Sequence, residues 1–138
     1  MAGEATDRVQ TLVVDDQEAF RDVMRDLVSV TPGFELAGEA ASGEAALALV
    51  GELDPQLVLM DVRMPGIGGI EATRVLVAGH PDLPIVLVSV EDLNGLPGVI
   101  GQCGAAAFVR KQDLRPQRLR ELWEEAQQQL SYSVSTRS

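Results

Sequence analysis

Five short apolar runs separated by amphipathic stretches predict an α/β fold, a doubly wound parallel sheet with helices on both faces. The runs are Val9–Val14, Phe34–Gly38, Leu57–Met60, Ile85–Val88 and Ala105–Val109. Their starts lie about 25 residues apart, too far for hairpins and right for strands alternating with helices. Most are apolar without alternation, which marks strands covered on both sides. At 138 residues, 46% hydrophobic and 23% charged, the chain suits one domain and is too apolar to be wholly disordered.

The intervening stretches carry helical periodicity. Phe20, Val23, Met24, Leu27 and Val28 share one face, Arg21, Asp22, Arg25 and Asp26 take the other, and Pro32-Gly33 ends the helix. The second helix opens on Ser42 as N-cap, is apolar from Ala45 to Val50 and stops before Pro55. A third is expected from about Gly68 to Ala78, stopped by Gly79 and Pro81. The last starts at Pro116 and ends near Leu130, with Leu119, Leu122, Trp123, Ala126 and Leu130 on one stripe. Between the fourth and fifth strands, Gly95, Pro97, Gly98 and Gly101 interrupt what should be a helix, so segment 92–103 is expected to be a short helix or a mobile loop. The domain is placed at 8–130. Residues 131–138, five of the eight being Ser or Thr, are expected to form a polar, disordered tail.

Charge and composition exclude several functions. Eleven basic residues against 21 acidic ones give a net charge of −10, which argues against nucleic-acid binding by this domain. Cys103 and His80 are single, so neither a disulfide nor a Cys/His metal cluster is expected. Met1–Arg8 lacks the order of a signal peptide, and no apolar run approaches the ~20 residues of a membrane span. A cytoplasmic chain without membrane contact is the expectation.

Ligands of parallel α/β sheets collect beyond the carboxyl ends of the strands. Here the first run ends in Asp15-Asp16, the third in Asp61 and the fourth in Ser89, and Lys111 follows the fifth. The second ends in Gly38-Glu39, read as uninvolved. Three carboxylates brought together repel, by about 4 kcal/mol per pair ~4 Å apart at an effective dielectric of 20. A hard cation such as Mg²⁺ removes that penalty, and a carboxylate beside it can attack a phosphoryl group to give an acyl phosphate. Each residue also has an ordinary reading. Asp15-Asp16 could cap a helix, Asp61 precede the Pro65-Gly66 turn, Ser89 cap a strand end, Phe108 fill core and Lys111 sit on the surface. Four apolar residues before Asp61 favour function over a turn, and Lys111 is the one lysine among eleven basic residues. Cys103, Trp123 and the methionines are assigned to packing and His80 to a loop.

VVDDQ at 13–17, LMDVRMPGIGG at 59–69, LVSVE at 87–91 and FVRK at 108–111 together resemble the receiver domain of two-component response regulators. GFELAGEAASGEAALAL at 33–49 is similar to the NarL/LuxR-type subfamily. The resemblance implies a flavodoxin-like, CheY-like five-stranded sheet in order 2-1-3-4-5. It also implies a phosphoacceptor, Asp61, charged by a sensor histidine kinase and self-catalysing both its phosphorylation and a slow hydrolysis, rather than a turnover enzyme. Mg²⁺ would be held by Asp16, Asp61 and the backbone carbonyl of Arg63, with Asp15 acting mainly through water. Ser89 and Phe108 match the switch pair, and Lys111 the lysine that meets the phosphoryl oxygens. The output face would span 92–126 and could pair two copies. A C-terminal DNA-binding domain, absent from this chain, would supply any DNA contact.

The chain also departs from the pattern. Gln112 stands where Pro commonly follows the lysine, and Val90 where a smaller residue follows the switch hydroxyl, so Val90 is expected to narrow access to Asp61. A phosphatase of the haloacid-dehalogenase type is disfavoured, because the first strand ends DDQ rather than DxD. A pseudo-receiver, binding partners without phosphorylation, is the alternative.

Overall fold

The computed structural model describes residues 8–91 and 102–137. Strands β1 (Val9–Val14), β2 (Phe34–Ala40), β3 (Leu57–Asp61), β4 (Ile85–Ser89) and β5 (Ala107–Arg110) form one parallel sheet in the order β2-β1-β3-β4-β5. This is the expected order, and each strand lies within about two residues of its predicted limits.

Alternate strand residues feed opposite faces. Leu12, Val14, Val58, Met60, Ile85 and Leu87 pack under α2 (Gly43–Leu53) and α3 (Gly68–Gly79). Val13, Leu57, Leu59, Val86 and Val88 pack under α1 (Glu18–Val30) and α4 (Pro116–Arg137). Leu12, Leu59 and Leu87 are wholly buried, each contributing about 2 kcal/mol of transfer free energy. Trp123 meets Phe34 edge to face at 6.4 Å, the packing role expected of it.

Local chemistry explains the element ends. Ser42 caps α2 by accepting the Ala45 N–H at 3.0 Å. Asp54 closes the same helix in the left-handed region, at φ 50°, which short polar side chains tolerate. A 3₁₀ turn, Lys111–Asp113, links β5 to α4, and the Lys111–Gln112 peptide is trans.

Two expectations need adjustment, and a third is untested. The stripe of α1 is narrower than its periodicity implied: Met24, Leu27 and Val28 are buried, but Val23 is 54% exposed. A helix lying on a sheet buries only the residues facing it, and Val23 lies at the margin. The last helix does not stop near Leu130 but continues to Arg137. No Gly or Pro occurs from Gln117 onward, so nothing in the sequence breaks the helix. The expectations for segment 92–103, and for an output face across 92–126, fall largely on residues 92–101, which lie outside the described residues.

Candidate functional site

In the β1–β3 register Val14 lies beside Met60, so the next residues, Asp15 and Asp61, are neighbours. They stand at the switch point, where the strand order reverses. Oxygens of Asp15, Asp16 and Asp61 all lie within 4.8 Å of one another. Asp15 and Asp61 are buried while Asp16 is exposed. Lys111, from the far end of the chain, reaches the pair: Nζ donates to Asp15 Oδ2 at 2.8 Å and lies 3.5 Å from Asp61 Oδ1.

The two buried acids differ. Asp15 accepts at both oxygens, from the Gln17 N–H at 2.9 Å and from Lys111. The capping role considered for the acidic pair is thus partly realised, since Asp15 satisfies a backbone donor at the start of α1. Asp61 has the more distant contact to the ammonium. Burial, and next the Asp15 carboxylate, push its carboxyl up to about 6, although Lys111 pulls it down. One cation does not balance three acids, and the shortfall falls on Asp61. An all-oxygen set with surplus negative charge could hold a hard divalent cation.

The backbone after Asp61 is forced into a close turn. A Cβ on Gly69 would lie 2.1 Å from the Asp61 carbonyl oxygen, and one on Gly66, at φ +86°, would strike the Glu44 carboxylate. The Gly69 N–H closes the loop on the Val62 carbonyl at 3.0 Å. PGIGG therefore lets the 62–68 loop fold back on the end of β3.

The remaining predicted residues lie round this point. Ser89 ends β4, buried, its hydroxyl accepting the Glu91 N–H at 3.1 Å. Val90 beside it is 57% exposed. Phe108 is half-buried on β5 opposite Leu87 and packs against the α2–α3 side of the core. Arg63 lies two residues beyond β3, and its guanidinium turns outward to Glu91 at 2.9 Å.

Three supporting residues escaped the sequence reading. Glu39, set aside as uninvolved, pairs with Arg21 at 3.6 Å and Arg25 at 3.3 Å, and Arg21 donates to the Asp15 carbonyl at 2.8 Å. Glu91 joins the β3 and β4 loops through Arg63. Phe20, grouped with the core stripe of α1, lies with its ring centroid 3.6 Å from Lys111 Nζ. Its position near the start of α1, five residues after Asp15, was the available signal.

Among the described residues no helix is long and apolar enough to cross a membrane. The response regulator GacA of Pseudomonas protegens is 43% identical over 103 residues, covering 75% of this chain and 48% of that protein. The chain thus spans about half the length of the curated relatives it matches. The signal receiver domain of the NarL regulator from Mycobacterium tuberculosis superposes with a TM-score of 0.78 at 28% identity, over 88% of this chain and 98% of that one. A LuxR-family two-component regulator from Aurantimonas superposes at 0.75 with 30% identity, over 83% and 81% of the two chains, in keeping with the NarL/LuxR-type resemblance. Residues 11–124 match the response regulator receiver domain, and with most of its length accounted for in this way the chain belongs to that family.

Proposed function

We propose that Asp61 accepts a phosphoryl group from a phosphohistidine of a sensor histidine kinase. A carboxylate oxygen of Asp61 attacks phosphorus, and an O–P bond forms as the P–N bond breaks. The imidazole leaves with that electron pair. The observation that carries this reading is Asp61 itself, buried beside two acids and one ammonium, with its carboxyl raised to about 6. A group in that position gains from any cation that arrives.

Asp16, Asp61 and the Arg63 carbonyl would hold Mg²⁺, with Asp15 supporting it through water. Bound there, Mg²⁺ would neutralise the acids and draw charge from the phosphoryl oxygens. Lys111 would take a phosphoryl oxygen in exchange for part of its contact with the carboxylates. The Ser89 hydroxyl would turn from the Glu91 N–H to donate to another, and Phe108 would follow into the space released. Val90, exposed beside Ser89, would stand at the entrance and slow the approach of water. The added charge of roughly −1.5 to −2 is the switch. Its readers would be a second copy of the chain across 92–126, or a DNA-binding domain in a longer protein.

Intact-mass measurement with Mg²⁺ and a small acyl phosphate tests this. One phosphoryl mass per chain is expected for the wild type and none for Asp61→Asn. No added mass on the folded wild type would sink the proposal and favour the phosphorylation-independent module.

A further inference from the structure

The Lys111 ammonium has three identified neighbours. Asp15 Oδ2 accepts from it at 2.8 Å, Asp61 Oδ1 lies at 3.5 Å, and the Phe20 ring centroid is 3.6 Å from Nζ. Only 6% of the lysine side chain is exposed. Two of these neighbours are the carboxylates that the proposed function commits to a cation and a phosphoryl group. Neither can hold the ammonium as tightly once its oxygens serve those partners. Phe20 has no such second duty. Its π-face attracts a cation, yet it offers a metal no lone pair and adds no charge to a site already rich in acids. An aliphatic side chain would supply no attraction, and a fourth carboxylate would pin the lysine in place.

The ring is well placed for this task. Phe20 is the third residue of α1, and its N–H and that of Arg21 reach the Gln17 carbonyl at 3.1 and 3.0 Å. The Gln17 N–H in turn holds Asp15. The ring is therefore fixed to the same turn as the acidic pair. Among the described residues it belongs to neither of the two core clusters, so a large aromatic is placed where core packing does not account for it.

We propose that Phe20 is a positioning residue for phosphoryl transfer, a cation–π platform that keeps Lys111 Nζ beside the acceptor while Asp15 and Asp61 exchange their partners. The proposal rests on Asp61 being the phosphoacceptor.

Because Lys111 is the sole lysine, carbon-13 lysine labelling gives one Cε signal for the site. In the metal-free protein the ring current should displace its protons upfield. That displacement is expected to survive in Phe20→Tyr and to vanish in Phe20→Leu. With Mg²⁺ and a small acyl phosphate below saturation, Phe20→Leu should acquire the phosphoryl mass about fivefold more slowly, and Phe20→Tyr within about twofold of wild type. Stepwise fluorination of the Phe20 ring, which weakens its π-face at nearly constant shape, should lower the rate stepwise and does not depend on Phe20→Leu folding well. An unchanged rate in folded Phe20→Leu, or fluorinated rings that react like the natural one, would overturn the proposal and leave Asp61 as acceptor. A wild type that is never phosphorylated overturns both, even if the shifted lysine signal shows the ring in place.

Discussion

The two ends of the sheet treat acidic residues in opposite ways. At the amino ends of β3 and β4, Asp54 and Asp82 border a cavity of about 430 Å³ together with His80 and Trp123, and both acids are exposed. At the carboxyl ends, Asp15 and Asp61 are buried, share one ammonium and lie within reach of Asp16. Solvent screens the first set, so its charges cost little and do little. The second set is held together at an energetic cost that a proton or a further cation relieves. The presence of a cavity therefore does not single out the carboxyl ends, whereas charge burial does.

Asp61→Asn should have the largest effect on that contrast. Between pH 4 and about 6 the folded protein keeps a proton on Asp61 that the unfolded chain has released. Stability contributed by that proton is present below this window and is lost as the pH rises through it. A displacement of about two pH units corresponds to at most ~3 kcal/mol. Without divalent cations, Asp61→Asn should thus be more stable than wild type at pH 7, by about 1–3 kcal/mol. The difference should shrink toward pH 4, and Mg²⁺ should narrow it at pH 7 by binding the wild type more tightly. Urea unfolding of both proteins across this range, with chelator and then with Mg²⁺, measures it. Parallel stability curves would show that the site end carries no more strain than the other.

Val90→Ala sharpens the comparison by testing the gating role proposed for Val90. Val90 is exposed and its neighbour Ser89 buried, so trimming the side chain removes volume without creating a core cavity. Loss of the phosphoryl group should be roughly threefold faster than in wild type, about 0.7 kcal/mol in barrier height. The decay of the phosphorylated mass after donor removal reports it, and a wild type that decays faster than Val90→Ala would contradict the gating role.

The ends of the sheet also differ in how legible they were. Apolar runs revealed the strands because burial on both faces leaves no polar alternation, and a charge directly after such a run stands out. Asp15, Asp16, Asp61 and Lys111, which the structure brings together, were all found at such run ends. Their supports were not. Glu39 lies in a strand with mixed burial, where a carboxylate excites no notice, and only coordinates bring it to Arg21. Phe20 continues the apolar period of α1, and the period alone cannot distinguish a core residue from one that meets a lysine ninety-one positions away in sequence. The length of α4 was missed because polar composition after Leu130 was taken as a stop, although no Gly or Pro stands there.

The smallest effect is expected at the amino ends of the strands. Asp82→Asn removes an exposed charge beside the α3 terminus, and no salt bridge to it occurs among the described residues. Surface substitutions of this kind change stability by no more than about 0.5 kcal/mol. Its charge is separated from Asp61 by the length of β4, five residues or roughly 16 Å, beyond the ~8 Å screening length at physiological salt. Asp82→Asn should accordingly leave both the urea midpoint and the phosphorylation rate at wild-type values. A severalfold change in rate would mean that the two ends are coupled through β4 itself, and burial at one end would no longer explain the site.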